Sequence, residues 1–184
     1  MSAKGHSHNS HRRYSAALDF DPWLDEAPDP AHADKAPNEL RIALVQGRNL
    51  AIKDKARLWG TGSSDPRVAF RIRGTRELRC RSRCIKRSLD PTWNETFALA
   101  LTKGEYMEGE KTFDFGVNGP VLEVTCEDVD ELTAADFMGE LNIPINDVEK
   151  KRVRGWHALQ ADAEGKRASS NVDGELELVL HWHY

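Results

Sequence analysis

The side chains able to do chemistry in this sequence are concentrated in two oppositely charged stretches. Asp128, Asp130 and Asp136 follow an apolar alternating run, Leu122–Cys126, and between Val121 and Glu140 stand seven acidic residues and no basic one. A solvated charge run is the ordinary reading of such a stretch. Here the spacing argues for a ligand set, because Asp128 and Asp130 flank Val129 in a bending loop and Asp136 returns before the next predicted strand. A hard cation such as Ca²⁺ takes roughly six to eight oxygens, drawn from carboxylates, carbonyls and water. One loop's carboxylates fall short of that number, so more oxygens must come from elsewhere. Asp54 and Asp65 offer them: both lie in the connection between the first two predicted strands, and Asp54 is the only acidic residue between Leu40 and Ser64.

The second stretch is basic. Arg76 to Arg87 holds six basic residues against Glu77, a local charge of +5. Arg79, Arg81 and Arg83 alternate, which puts them on one face of a strand. Taken alone, that is the solvated outer face of a sheet. Apolar residues stand beside the candidate ligands as well: Leu58 and Trp59 between Asp54 and Asp65, and Leu132 in the Asp128 loop. At loop tips such side chains suit a membrane interface, where tryptophan is favoured. Cys80 and Cys84, four apart in an expected strand, would be about 13 Å apart, too far for a disulfide. His6, His8 and His11 form a weak metal tract, and His181 and His183 read as edge or surface histidines. There is no Gly-x-Ser-x-Gly elbow, phosphate loop or zinc-spaced His/Cys set, so the chain reads as a binding protein and not an enzyme.

The elements that must position these residues are strands. Leu40, Ile42 and Leu44 alternate with smaller or polar neighbours, and β-like runs follow at Val68–Arg73, Glu77–Lys86, Trp93–Leu101, Val121–Glu127, Phe137–Pro144, Gly155–Leu159 and Glu175–Tyr184. Turn clusters such as Gly60-Thr61-Gly62-Ser63-Ser64 and Leu89-Asp90-Pro91 separate most of them. The expected fold is an all-β, eight-stranded antiparallel β-sandwich over residues 39–184. Residues 1–38 carry four of the eight prolines and few aliphatic side chains, and read as a flexible, disordered N-terminal arm. Within it, Asp21-Pro22-Trp23 resembles peptides bound by endocytic adaptors, but an exposed loop is the plainer expectation. Over 184 residues, 26 basic side chains against 30 acidic give a net charge of −4, which argues against nucleic acid as a partner. No apolar run is long enough to span a bilayer, no signal-peptide core opens the chain, and three cysteines suit a reducing compartment, so a cytoplasmic location is expected.

Several motifs, in order, resemble one family. Arg48-Asn49-Leu50 closes the first strand; Ser63-Ser64-Asp65-Pro66-Arg67-Val68 is similar to a Ser-Asp-Pro-Tyr-Val motif, with arginine in the tyrosine's place. Ser88-Leu89-Asp90-Pro91-Thr92-Trp93-Asn94-Glu95-Thr96-Phe97 is similar to a Thr-Leu-Asn-Pro-x-Trp-Asn-Glu-x-Phe signature, and Val124 through Gly139 carries an Asp-x-Asp loop followed by Asp-Phe-Met-Gly. The chain resembles a C2 domain from about Glu39 to Tyr184, with a strand arrangement nearer the phospholipase-type permutation than the synaptotagmin type. The resemblance implies calcium-dependent binding to anionic phospholipid membranes, in targeting, signalling or trafficking, with peripheral membrane location once calcium binds. It implies two or three Ca²⁺ ions on Asp54, Asp65, Asp128, Asp130 and Asp136, with backbone carbonyls from Lys53 and Val129. Ten residues separate Asp54 from Asp65, more than in the commonest C2 loop. It also implies a basic concave face of Arg79, Arg81 and Arg83 with Arg71 on the neighbouring strand, for phosphatidylserine-like headgroups or, more narrowly, a phosphoinositide. Arg67 and Val129 stand where a specific inositide pocket has aromatic residues. Trp93 and Phe97 are expected in the core. The alternative is a scaffold that binds a protein partner, with calcium incidental.

Overall fold

The computed structural model describes residues 20–23, 39–54, 62–73, 79–100, 121–130, 134–145, 152–163, 165, 167 and 171–183. Eight strands form, β1 (Glu39–Arg48), β2 (Pro66–Ile72), β3 (Arg79–Arg81), β4 (Thr92–Ala100), β5 (Val121–Asp128), β6 (Asp136–Pro144), β7 (Val153–Ala158) and β8 (Glu175–His183). They make two four-stranded antiparallel sheets in the orders β4-β1-β8-β7 and β3-β2-β5-β6. The first strand lies between β4 and the last strand and is not paired to β2, in keeping with the phospholipase-type order.

Alternation builds the core. Leu40, Ile42 and Leu44 of β1 and Leu176, Leu178, Leu180 and Trp182 of β8 face Val68, Phe70 and Ile72 of β2 and Leu122, Val124 and Cys126 of β5. Trp93 is fully buried, and Phe97 packs against Phe70 with ring centroids 5.2 Å apart, so both signature aromatics are core residues as expected. Cys126 is buried beside Met138, its Sγ 3.9 Å from Sδ, and burial pushes its thiol up to about 12.

Two expectations are corrected. The basic run is not one strand from 77 to 86: β3 ends at Arg81 and the chain leaves the sheet at Ser82. At Ser82 the regular ladder breaks: its amide still donates to the Val68 carbonyl, but the Val68 amide is taken by Ser82 Oγ, which in turn donates to the Arg83 carbonyl. Cys84 therefore lies outside any strand, and both it and Cys80 are free thiols. The second correction concerns Asp21-Pro22-Trp23, which is packed and not an exposed loop. Phe20 and Trp23 are buried against Ala43, Val45 and Val179, on the outer face of the β1–β8 pair. Arg152 clasps the segment, pairing with Asp21 at 3.4 Å and donating to the Trp23 carbonyl at 2.8 Å, while the Trp23 ring lies 6.1 Å from that of His181. The physical reason is visible in β1, where the outward residues Ala43 and Val45 are apolar and need a cover. The histidines at 6, 8, 11 and 32 lie outside the described residues.

Candidate functional site

At one end of the sandwich three segments meet: the β1–β2 connection, the β3–β4 connection and the chain after β5. The base of the first is closed by a short antiparallel bridge between Asp54 and Ser63, with amide-to-carbonyl bonds of 3.0 and 3.1 Å. This pairing brings the ends of the long connection together, so the ten residues between Asp54 and Asp65 do not carry Asp54 away. Ser64, fully buried, reinforces it by accepting the Lys53 amide and donating to the Ala51 carbonyl. The Lys53 side chain donates to the Asn171 carbonyl. The third segment is locked on next: the Asp65 amide donates to Asp128 Oδ1 at 2.5 Å, and the Val129 amide to the Asp65 carbonyl at 3.1 Å.

Asp128 is the centre of this end. It is 1% exposed. Burial, then the nearby charges of Asp54, Asp130 and Asp65, push its carboxyl above the ordinary value despite the bond from the Asp65 amide. Three of the other four aspartates thus bear on Asp128. Asp136 is the cross-strand partner of Asp128, exposed at the start of β6. Asp65 has a different environment. Burial would raise its carboxyl, but the Arg87 amide and the Lys86 ammonium together hold it below the ordinary carboxylate range. Leu58, Trp59 and Leu132 lie outside the described residues.

The outer face of the β3-β2-β5-β6 sheet carries the arginines. In the β2–β3 register Arg71 opposes Arg79 and Ala69 opposes Arg81, so these arginines share a face. They line a depression of about 340 Å³ with Arg73 and Arg167. Arg83 does not join them, and its grouping with Arg79 and Arg81 is corrected. Beyond the end of β3 its guanidinium donates to the Thr92 and Trp93 carbonyls and pairs with Glu95, while its own carbonyl accepts the Trp93 indole N–H. Carboxylates from the neighbouring strand answer the others: Glu123 pairs with Arg71 and Arg73, and Glu127 with Arg67. Glu127, Glu140 and Asp162 also line the depression, so its five arginines face four carboxylates and the surface is nearly balanced. Among the described residues no carboxylate pairs with Arg79 or Arg81, and both are exposed.

The C2 domain model matches residues 38–159. The chain belongs to the C2 domain family. It is 37% identical over 144 residues to extended synaptotagmin-3 of Mus musculus, covering 78% of this chain and 13% of that protein. It is 34% identical over 147 residues to Ras GTPase-activating protein 4B of Homo sapiens, covering 77% and 15%. The C2 domain chain thus spans about one seventh of these relatives' lengths. Among solved structures it is similar to the paired C2 domains of extended synaptotagmin-2 with calcium bound, at a TM-score of 0.58 and 27% identity, over 80% of this chain and 46% of that one. It shares the fold of the first C2 domain of plant extended synaptotagmin-1, at a TM-score of 0.56 and 16% identity, over 80% and 96%. C2 domains generally bind phospholipid membranes. Among the described residues of this one, no helix is long and apolar enough to cross a bilayer.

Among the described residues, no three acidic, histidine or cysteine side chains stand close enough to hold an ion as arranged. The donor chemistry nevertheless fits calcium: the carboxylates are hard oxygens gathered at one end, and Asp128 is a buried acid under the repulsion of three others. Sequence reasoning missed Lys86, Arg73, Arg167 and the countercharge of Glu123. Arg73 was legible, since it continues the alternation of Arg67, Ala69 and Arg71. Glu123 was not, because only cross-strand register places it opposite Arg71.

Proposed function

We propose that this C2 domain docks on anionic phospholipid membranes in a calcium-dependent way, without catalysis. The observation that carries the reading is the meeting of Asp54 and Asp65, from the two ends of the β1–β2 connection, with the buried Asp128 and its neighbour Asp130 after β5. Asp54, Asp65, Asp128, Asp130 and Asp136, with the carbonyls of Lys53 and Val129, would hold two or three ions. Two calcium ions, when bound, would nearly neutralise the five carboxylates and offer a coordination position to a lipid phosphate oxygen. The protein's own part is to bring the carboxylates together from distant segments and to bury Asp128 so that its repulsion is relieved by a cation. Arg79 and Arg81, with Arg71 beside them, add attraction to an anionic leaflet of about 1 kcal/mol per cation. Leu58, Trp59 and Leu132, flanking the ligands in sequence, are proposed to enter the interface. The relative solved with calcium bound supports the same reading.

Cosedimentation with phosphatidylserine vesicles tests it. Binding in calcium and release in chelator is the expected result, and equal binding in both would sink the switch. Replacing Asp128 and Asp130 together by asparagine should abolish vesicle binding. A protein partner whose binding survives that change would point to the scaffold reading instead.

A further inference from the structure

The outer face of the β1–β8 pair carries a recess that the strands alone do not fill. Ala43 and Val179 are cross-strand partners, and with Val45 they form an apolar floor separate from the core between the sheets. Residues 20–23 sit on this floor without joining either sheet. Phe20 and Trp23 are buried there, 6% and 8% exposed. The turn between them is shaped by Asp21, whose Oδ1 accepts the Trp23 amide at 3.3 Å. Arg152, just before β7, holds both sides of that turn: its Nε lies 3.4 Å from Asp21 Oδ2, and its Nη1 donates to the Trp23 carbonyl at 2.8 Å. The Asp21 side chain is only 5% exposed, so the carboxylate is enclosed along with the rings. An apolar floor, an arginine that reads an acid and a carbonyl, and the flanking imidazole of His181 make a site for a short aromatic–acidic turn. The match to the C2 model begins at residue 38, so the occupant lies outside the module that it covers.

We propose that this recess is a docking site for residues 20–23 of a second copy of the chain, so that two copies pair by exchanging these segments. Every copy carries both the recess and the turn that fits it, and the same contacts form whichever chain supplies the turn. Fifteen residues separate Trp23 from Glu39, a length whose extended reach is about 50 Å, enough to cross to a neighbouring sandwich. Exchange is reciprocal and fills both recesses, which gives a closed two-fold pair and not a filament. Docking within one chain wins in dilute solution, because a connection of this length holds its own segment at an effective concentration of about 1 mM. Exchange takes over only near that concentration of chains. Gathering on a membrane supplies it, so the setting for exchange, though not the contact itself, rests on the proposed membrane function.

Complementation between two full-length variants tests the contact without calcium or lipid. Phe20→Ala with Trp23→Ala opens the recess and changes no strand residue. Val45→Glu with Arg152→Glu leaves the turn intact but gives it a recess that repels Asp21. Each variant alone should sediment as a monomer. An equimolar mixture should form one-to-one pairs with a Kd of about 10 µM, the effective concentration of about 1 mM divided by a roughly hundredfold preference for the docked segment. A synthetic peptide of residues 17–26 should bind the open-recess variant with similar affinity, and the parent about a hundredfold more weakly, because the parent's own segment competes. No pairing in the mixture, with both variants folded by circular dichroism, overturns the exchange. If the Val45→Glu, Arg152→Glu chain is unfolded, the peptide decides: no binding to the open-recess variant, or equal binding to it and to the parent, overturns the proposal. Failure of vesicle binding would sink the membrane function and leave the pairing measured in solution untouched, so the two readings fail separately.

Discussion

Replacing Gly62 by alanine should weaken calcium binding without touching a candidate ligand. An added methyl at this position would stand 2.3 Å from Ile52 Cγ2 and 2.5 Å from the Asp54 carbonyl oxygen. The isoleucine methyl belongs to a side chain that has room to rotate, but the carbonyl is backbone. Relief to an ordinary contact near 3.5 Å requires the Asp54 strand to move by about 1 Å. The bonds between Asp54 and Ser63, now 3.0 and 3.1 Å, would then stretch to about 4 Å and be lost. At roughly 1 kcal/mol net for each, the bridge is destabilised by about 2 kcal/mol. That loss lowers the ratio of bridged to open forms about 30-fold, so calcium affinity should fall by up to about 30-fold. Titration calorimetry on the parent, Gly62→Ala and Asp54→Asn would measure this. Thermal unfolding should change little, since the bridge lies outside the named strands. Parent-like affinity in Gly62→Ala would refute the steric argument, and parent-like affinity in Asp54→Asn would refute the importance of placing Asp54.

Other perturbations separate the remaining structural claims. Trp23 and Phe20 together bury about 400 Å² of aromatic surface, a gross gain of about 10 kcal/mol. Ordering residues 20–23 costs about 7 kcal/mol, so Trp23→Ala should release the segment at a net loss of about 3 kcal/mol in urea unfolding. Residues 20–23 should then exchange their amide hydrogens freely; a loss above about 5 kcal/mol, or no rise in exchange, would contradict a locally docked clasp. Arg79→Gln and Arg81→Gln should each weaken binding to phosphatidylserine vesicles about fivefold, whereas Arg83→Gln should leave it unchanged and lower stability by about 1–2 kcal/mol through its lost carbonyl and Glu95 contacts. Burial would raise the Glu123 carboxyl, but Arg73 and Arg71 hold it below its ordinary 4.5, so its contribution is complete above about pH 4.5 and is lost as the pH falls through the lower folded value. Unfolding midpoints measured from pH 6 down to pH 3 should therefore drop more steeply for the parent than for Glu123→Gln.

The two charged stretches mean something different once folded. Along the sequence they are separate poles, acidic near residue 130 and basic near residue 80. In the structure each meets opposite charge from the connection before β2 or from β2 itself: Lys86 of the basic stretch pairs with Asp65, and Glu123 of the acidic stretch pairs with Arg71. Among the described residues of β2 and β3, Arg79 and Arg81 are the arginines left without a carboxylate partner. Arg83, chemically alike and only two residues on, is spent on fixing Trp93 and β4.

The sequence by itself determined the sandwich, its strands and the cast of acidic residues. Alternation in β1, β2, β5 and β8 states which side chains are buried, and turn residues bound the strands, because both are local properties of neighbouring side chains. What tertiary structure decided were contacts between segments far apart in the chain. Register placed Glu123 opposite Arg71, the β2–β3 ladder broke at Ser82, and the turn at 85–88 brought a lysine onto Asp65. The clasp at residues 20–23 is illegible in the sequence for the same reason. A short polar stretch with one tryptophan buries little by itself, and only the apolar outward residues of β1 and β8, brought side by side, give it a surface to cover.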